Sequence, residues 1–224
     1  MAAPFHRAAR PLVSMDRPMT AQPFWDRMAP KYARKPVGDP DAYHEKLALA
    51  ASLLKPGDRV LEIGCGTGTT ALRLARHVAK YTATDGSRAM IGIAGTKLGP
   101  GAPENVTFHH ADAAEQVAGA PFDAICAFSL LHLVEDVPGV LATVHAQLRP
   151  RGLFLSKTVC TKAAAWPIRV LIPTLTTLRI APRVTPLSRA ELVRHIADAG
   201  FEVERTMHFG KNRMSPIIVA RKAA

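Results

Sequence analysis

The stretch VLEIGCGTGT, residues 60–69, decides the fold of this 224-residue chain. It opens as a short apolar strand over residues 59–63 and then places glycine at positions 64, 66 and 68. Glycines directly after a strand let the backbone turn sharply and let a ligand approach it closely. The stretch therefore predicts the first strand–turn–helix unit of an α/β domain that binds a ligand at this turn.

The spacing of the glycines narrows the class of ligand. Thr69 stands where the dinucleotide fingerprint GxGxxG needs its last glycine. The Gly-Lys-Ser/Thr ending of a phosphate-binding loop is also absent from the stretch. A nicotinamide-dependent oxidoreductase is therefore disfavoured, although a GxGxG pattern by itself does not name the ligand.

Strands and helices alternate along the chain after this turn, which predicts a parallel sheet with helices on both faces. Further strands are predicted at 81–84, 106–108, 122–128 and 153–157, with helices at 69–79, 87–98, 137–148 and 188–200. Two last strands, 201–207 and 216–221, are joined by a short loop and predict a hairpin that adds an antiparallel strand.

Length and composition are those of one globular domain. The chain is 48% hydrophobic and 21% charged, which excludes a disordered protein. We expect a disordered tail over residues 1–20 and a single domain over 21–224. The three cysteines are widely spaced and form no disulfide framework, which favours a reducing, cytoplasmic compartment. No apolar run reaches the length of a membrane span.

The net charge of +11 is distributed unevenly. Residues 1–57 have 9 basic and 5 acidic groups, residues 58–150 have 7 and 9, and residues 151–224 have 13 and 4. A basic surplus favours an anionic partner. Because most of it lies after residue 150, beside apolar residues and not beside stacking aromatics, the pattern disfavours nucleic acid as a partner. It is compatible with a lid that meets a hydrophobic acceptor, an anionic membrane surface, or both.

Three carboxylates accompany the glycine turn. Glu62 stands at the end of the first strand, Asp85 follows the second, and Asp112 follows the third. From these positions Asp85 can accept hydrogen bonds from a ribose diol, and Asp112 lies where an adenine amine can be read. The ordered motifs EIGCGTG (62–68), Asp85, ADA (111–113), FDA (122–124) and LRPRGL (148–153) resemble those of class I S-adenosylmethionine-dependent methyltransferases of the small-molecule, ubiquinone/menaquinone type.

The resemblance extends over residues 24–222 and implies a Rossmann-like, doubly wound sheet of seven strands with an antiparallel last strand. It implies S-adenosylmethionine as cofactor, with the glycines beside its methionine part, Asp85 at the ribose, and Asp112 at the adenine. The implied cofactor-binding residues are Glu62, Gly64, Cys65, Gly66, Gly68, Asp85, Gly86, Ser87, Asp112, Ala113, Phe128 and Ser129.

Methyl transfer needs alignment more than acid–base groups, because the sulfonium already activates the methyl carbon. His132, just after the fourth strand, is the candidate catalytic residue; the alternative is a packed histidine. The candidate acceptor-binding residues are Trp25, Tyr32, His132, Lys157 and Cys160. The pair His109-His110 points to opposite faces of a strand and is a poor metal chelate, so no metal is expected.

Two segments are predicted to cover the acceptor. One is an amino-terminal helical lid over residues 21–56, and the other is an insertion over 160–187 with an apolar helical stripe from Ile168 to Leu178. The alternative for both is an ordinary helix packed on the core.

These features predict methyl transfer to a small hydrophobic acceptor, quinone-like or a lipid amine. An RNA methyltransferase, and a non-catalytic binding or membrane-association module on the same fold, are the alternatives. The oligomeric state is not predicted.

Overall fold

The structure is a computed structural model that describes residues 22–164, 175–177, 180–210 and 213–224. The predicted tail over residues 1–20 lies outside the described residues. So does most of the predicted apolar stripe from Ile168 to Leu178.

The described residues form one seven-stranded sheet in the order β3-β2-β1-β4-β5-β7-β6. The strands are β1 (Arg59–Ile63), β2 (Lys80–Asp85), β3 (Val106–His110), β4 (Phe122–Phe128), β5 (Leu148–Lys157), β6 (Phe201–Met207) and β7 (Ile217–Lys222). Strands β1 to β5 run parallel, and β7 is antiparallel to both of its neighbours, β5 and β6. The predicted fold class, with its antiparallel last strand, is confirmed.

Most helices of the described residues begin where a short polar side chain satisfies a free backbone N–H group. Asp39, Ser87, Asp136 and Ser188 each accept a hydrogen bond from a backbone N–H three residues further on. The helices are α1 (Gln22–Arg34), α2 (Pro40–Leu53), α3 (Thr69–Leu74), α4 (Arg88–Gly95), α5 (Val137–Gln147) and α6 (Arg189–Asp198).

Helix α3 is shorter than the predicted helix 69–79, since it ends at Leu74 and continues as one 3₁₀ turn to His77. The side-chain amide of Asn105, in the loop before β3, donates to the carbonyl oxygens of Ala75 and Val78 at 2.8 and 2.7 Å. These bonds supply donors to carbonyl oxygens just after the helix, so a distant residue stabilises the end of the helix.

The core lies on both faces of the sheet. Because side chains alternate along a strand, Leu61 and Ile63 pack with α5 and α6 on one face, whereas Val60 packs with α2 and α3 on the other. All five parallel strands end at the same edge of the sheet. The glycine turn and the residues that follow β2, β3, β4 and β5 are therefore brought together there.

Candidate active site

The glycine turn after β1 requires glycine at three positions. Gly64, Gly66 and Gly68 have φ angles of +69°, +56° and +74°, a region that L side chains rarely adopt. A Cβ atom on Gly64 would lie 2.7 Å from Cδ1 of Leu130, and one on Gly68 would lie 2.6 Å from the Phe108 ring. At Gly66 the nearest atom would be Cε1 of Tyr32 at 3.9 Å, so the open face of the turn is at Gly66.

The Asp85 carboxylate is held rigidly beside this open face. Its Oδ2 accepts the Gly66 N–H at 2.8 Å, and its Oδ1 accepts the Ser87 N–H at 2.9 Å. Burial raises the pKa of Asp85, while the two N–H groups act in the opposite direction. Each carboxylate oxygen has a second lone pair, so Asp85 retains the capacity to accept bonds from a diol.

Helix α1 lies across the same edge. Asp26 accepts a hydrogen bond from the Ser87 hydroxyl at 2.6 Å and one from the Ala89 N–H at 3.1 Å. The Ser87 hydroxyl is the main cause that lowers the pKa of Asp26. One turn earlier, Nε2 of Gln22 donates to Oδ2 of Asp112 at 3.0 Å. Helix α1 is thus anchored to the turns after β2 and β3, which carry two of the predicted cofactor-binding segments.

Glu62 is buried, and its charge is balanced from two sides. The Tyr81 hydroxyl donates to Oε2 of Glu62 at 3.1 Å, and the Lys46 ammonium, on α2, attracts the Glu62 carboxylate electrostatically. Burial raises the pKa of Glu62 to about 7 and lowers the pKa of Lys46 to about 8, against the mutual attraction of the two charges.

Lys46 is a functional candidate that was not predicted from the sequence. Its Nζ lies 4.4 Å from the centre of the Phe128 ring and 4.6 Å from that of Tyr43, and it donates to Oγ1 of Thr70 at 3.3 Å. The one signal in the sequence is the spacing Ala42, Lys46, Ala50, which places a lysine on the buried stripe of α2. A charged side chain is buried on such a stripe where a partner residue or a ligand balances its charge.

His132 lies in a 3₁₀ turn after β4, only 9% exposed, and its Nδ1 has no hydrogen-bond partner among the described residues. Burial lowers the pKa of His132 to about 4, so the imidazole is neutral near pH 7. Its carbonyl oxygen accepts the Thr185 N–H at 2.8 Å, and the Thr185 hydroxyl donates to the Val134 carbonyl at 2.6 Å. The segment before α6 therefore covers this turn.

The residue that follows β4 is joined to the last residue of β5. The Ser129 N–H donates to the Lys157 carbonyl at 2.6 Å, and Ser129 has a positive φ of 61°. Burial lowers the pKa of Lys157. Cys160 is 1% exposed and packs with Leu131 and Leu187, which places it in the core behind this edge.

The predicted aromatic residues of the lid contact each other. The rings of Trp25 and Tyr32 meet edge to face, with centroids 6.0 Å apart. Tyr32 also reaches the open face of the glycine turn, and 49% of its surface is exposed. Cys65 and Ala113 lie at the edge as well, each packed against one of the two core clusters.

No group of three or more potential metal ligands occurs within the described part of the chain. The ring of His110 points to the turn after β2, where its Nε2 lies 3.0 Å from the Gly86 carbonyl oxygen.

Comparisons with known proteins identify the family of this chain. Residues 33–206 match the family model of a methyltransferase domain. The chain is 29% identical over 168 residues to a ubiquinone biosynthesis O-methyltransferase of Aromatoleum aromaticum, covering 72% of this chain and 71% of that protein. It is 32% identical over 155 residues to a magnesium-protoporphyrin O-methyltransferase of Rhodobacter capsulatus, covering 66% of each.

Solved structures share the fold at lower identity. The magnesium protoporphyrin IX methyltransferase of Synechocystis, solved with bound S-adenosylhomocysteine, superposes with a TM-score of 0.65 at 21% identity, over 90% of this chain and 94% of that one. The [4+2]-cyclase SpnF superposes with a TM-score of 0.72 at 20% identity, over 92% and 97%. Because one neighbour is a cyclase, the shared fold alone does not identify the reaction; the family match, over more than half of the chain, does. This chain belongs to the methyltransferase-domain family and is an S-adenosylmethionine-dependent methyltransferase.

Proposed function

We propose that this enzyme methylates a hydroxyl oxygen of a small, hydrophobic, quinone-like acceptor. The observation that carries the proposal is His132: a neutral, buried imidazole whose Nδ1 lacks a partner, at the sheet edge that holds the glycine turn. In the neutral tautomer that carries its proton on Nε2, Nδ1 accepts a hydrogen bond from a hydroxyl group. The ubiquinone and porphyrin relatives, both named O-methyltransferases, support oxygen as the acceptor atom.

The residues at the edge fit the cofactor. Asp85 has lone pairs free for a ribose diol beside the open face of Gly66. Gln22 joins the turn after β2 to Asp112, the residue expected to meet the adenine ring. The buried Lys46 ammonium suits the methionine carboxylate. When bound, S-adenosylmethionine supplies a methyl group already activated by a positive sulfur. The protein therefore has to orient the acceptor, shield the site from water and deprotonate the acceptor hydroxyl.

His132 has a limited part in the proposed reaction. Its Nδ1 orients the acceptor hydroxyl and takes up the hydroxyl proton as the oxygen gains the methyl group. A pKa of about 4 makes the imidazole a weak base, so its main contribution is orientation. The Thr185 segment excludes water from the same turn, which strengthens that hydrogen bond.

The charges around the edge favour a hydroxyl acceptor over a lipid amine. Lys46 and Lys157 repel each other, and each has a pKa lowered by burial. A protonated amine placed near them is repelled as well, whereas an acidic hydroxyl or its anion is attracted. The quinone-like acceptor is therefore favoured over the lipid amine.

The test is methyl transfer followed by mass spectrometry, with an alkyl-substituted catechol and an alkyl amine of equal chain length as competing acceptors. We expect the catechol to be methylated and His132→Gln to lower kcat about 100-fold, because a misplaced acceptor hydroxyl reacts about that much more slowly. S-adenosylhomocysteine affinity, measured by isothermal titration calorimetry, should not change in that variant. Methylation of the amine alone, or unchanged kcat in the variant, contradicts the proposal.

We also propose that the lid side of the molecule contacts an anionic membrane. None of the helices in the described ranges is both long and apolar enough to cross a bilayer. Val37 and Ile180 are large apolar residues with 47% and 63% of their surfaces exposed, and the chain around Ile180 is basic. Sedimentation with vesicles containing phosphatidylglycerol should capture the protein. Val37→Asp combined with Ile180→Asp should abolish capture, while Leu98→Asp, on another exposed apolar residue, should not.

A further inference from the structure

The side-chain amide of Gln22 has one satisfied end and one unsatisfied end. Its Nε2 donates to Oδ2 of Asp112 at 3.0 Å. Because a carboxylate accepts hydrogen bonds and does not donate them, the nitrogen has to be the end of the amide that contacts Asp112, which leaves Oε1 as an unused acceptor. Oε1 is buried and has no hydrogen-bond partner among the described residues. A buried acceptor without a donor is unusual, and a donor on a ligand would satisfy it.

The location of this amide shows which ligand group it faces. A Cβ atom on Gly86 would lie 3.0 Å from Nε2 of Gln22 and 3.3 Å from its Cγ. Gln22 therefore spans the gap between the turn after β2 and the turn after β3. Asp112 is itself fixed in this gap, since its Oδ1 accepts the Ala114 N–H at 3.0 Å. The adenine ring is assigned to this gap in the proposed cofactor site, on which the following inference rests.

We infer that Gln22 is a specificity-determining residue for the adenine ring of the cofactor. The exocyclic amine of adenine has two hydrogens. One is donated to the Asp112 carboxylate, and the other is donated to Oε1 of Gln22. The bond between Gln22 and Asp112 orients both acceptors toward the same amine, so helix α1 participates in base recognition as well as covering the site.

Two hydrogen-bond acceptors around one amine should make the site select adenine over a base that lacks the amine. Hypoxanthine has a carbonyl oxygen where adenine has the amine, and that oxygen would face the oxygens of Gln22 and Asp112 without a hydrogen between them. Sites built to hydrogen-bond a ligand N–H reject the analogue that lacks it, because their buried polar groups are left unpaired.

The test is calorimetric binding of S-adenosylhomocysteine and S-inosylhomocysteine to the full chain and to Gln22→Met, which keeps the length of the side chain and removes its polar atoms. We expect the parent protein to prefer the adenosyl compound by about 1000-fold, which is below the 10⁴–10⁵ of fully built sites. In Gln22→Met the affinity for S-adenosylhomocysteine should fall about tenfold, and the affinity for S-inosylhomocysteine should stay the same. The control is Gln116→Met, at an exposed position, which should change neither.

A third ligand tests the inference without any variant. The N6-methyl derivative of S-adenosylhomocysteine has one amine hydrogen in place of two, and it should bind the parent protein about tenfold more weakly than S-adenosylhomocysteine. Equal affinity of the two compounds, or an unchanged adenosyl-to-inosyl ratio in Gln22→Met, overturns the inference. Tighter adenosyl binding in Gln22→Met also overturns it, because Gln22 would then compete with adenine for Asp112. If the parent protein binds none of the three compounds, the proposed cofactor site fails instead.

Discussion

The cofactor half of the sheet edge, at the turns after β1, β2 and β3, is held by the Asp85 carboxylate and by one crossing helix, α1. The acceptor half, at the residues after β4 and β5, is held by contacts among several separate segments. In the first half, Asp85 bonds the N–H of Ser87 two residues away, and the glycine turn follows directly from β1. In the second half, the Cys160 N–H donates to the Met214 carbonyl at 2.7 Å, and Gly210 packs against Ala42 at the start of α2. Substitutions should therefore act locally in the first half and spread through several segments in the second.

The largest effect is expected where the two halves meet, at Gly64. In Gly64→Ala the new methyl group overlaps Leu130 from the acceptor half, and the positive φ adds strain. Together these should lower the free energy of unfolding by about 4 kcal/mol. Chemical denaturation monitored by circular dichroism measures this loss. Gly92→Ala, in helix α4 with open space around it, should instead be neutral or stabilising, and equal losses in the two variants would refute the steric explanation.

Asp85→Ala tests whether the cofactor half acts on its own. Loss of the carboxylate should weaken S-adenosylhomocysteine binding about 100-fold, or about 3 kcal/mol, because charge-assisted hydrogen bonds to the ribose are lost. The KM for the acceptor, measured at saturating cofactor, should change less than twofold. Asp198→Ala, at an exposed position on α6, is the matched control. A large change in the acceptor KM would mean that the two halves are coupled through Asp85.

His132 should make the acceptor half sensitive to acid. Burial lowers its pKa from 6.5 to about 4, so the unfolded chain takes up a proton near pH 6.5 and the folded protein does not. The stability that this difference provides is present above pH 6.5 and is lost as the pH falls toward 4, by about 2 kcal/mol at pH 5. Urea denaturation at pH 7.5 and pH 5 should show this loss in the parent protein and in His77→Gln, whose site is exposed. His132→Gln should lack it, and an equal loss in that variant contradicts the assignment.

The smallest effect is expected at Ser188, which begins α6 beside the covering segment. Its hydroxyl accepts the Glu191 N–H at 3.2 Å, and the Glu191 carboxylate accepts the Ser188 N–H at 2.9 Å. Ser188→Ala should lower the free energy of unfolding by about 1 kcal/mol, while Ser188→Asp should recover most of it. Thermal unfolding measures both. A drop in kcat in Ser188→Ala would show that even this local bond affects the acceptor half.

Local features of the chain account for what was predictable. The alternation of apolar strands with helices predicted a parallel sheet, the glycine spacing at Gly64, Gly66 and Gly68 predicted the ligand-binding turn, and the terminal hairpin predicted the reversed last strand. The family match confirmed the methyltransferase. The early end of α3 was not predictable, because it is stabilised by Asn105, about 30 residues further along the chain.

The electrostatics of the site also needed the folded structure. Glu62 was predicted as a site residue, but its partner Lys46 belongs to a helix that packs against it only in the fold. In the same way, Gln22 and Asp26 carry no motif of their own. Their importance depends on α1 crossing the turns after β2 and β3, which no periodicity indicates.

The position of β7 has a consequence for the order in which the chain assembles. The strand is formed by residues 217–222, yet it lies between β5 and β6. Every predicted site residue has left the ribosome before β7 exists, but until then β5 is an open edge with unpaired backbone groups, and β6 has no neighbour in the sheet. An open edge of this kind invites pairing with other chains. Stopping synthesis just before Ile217 should therefore give a product that contains the whole site and aggregates.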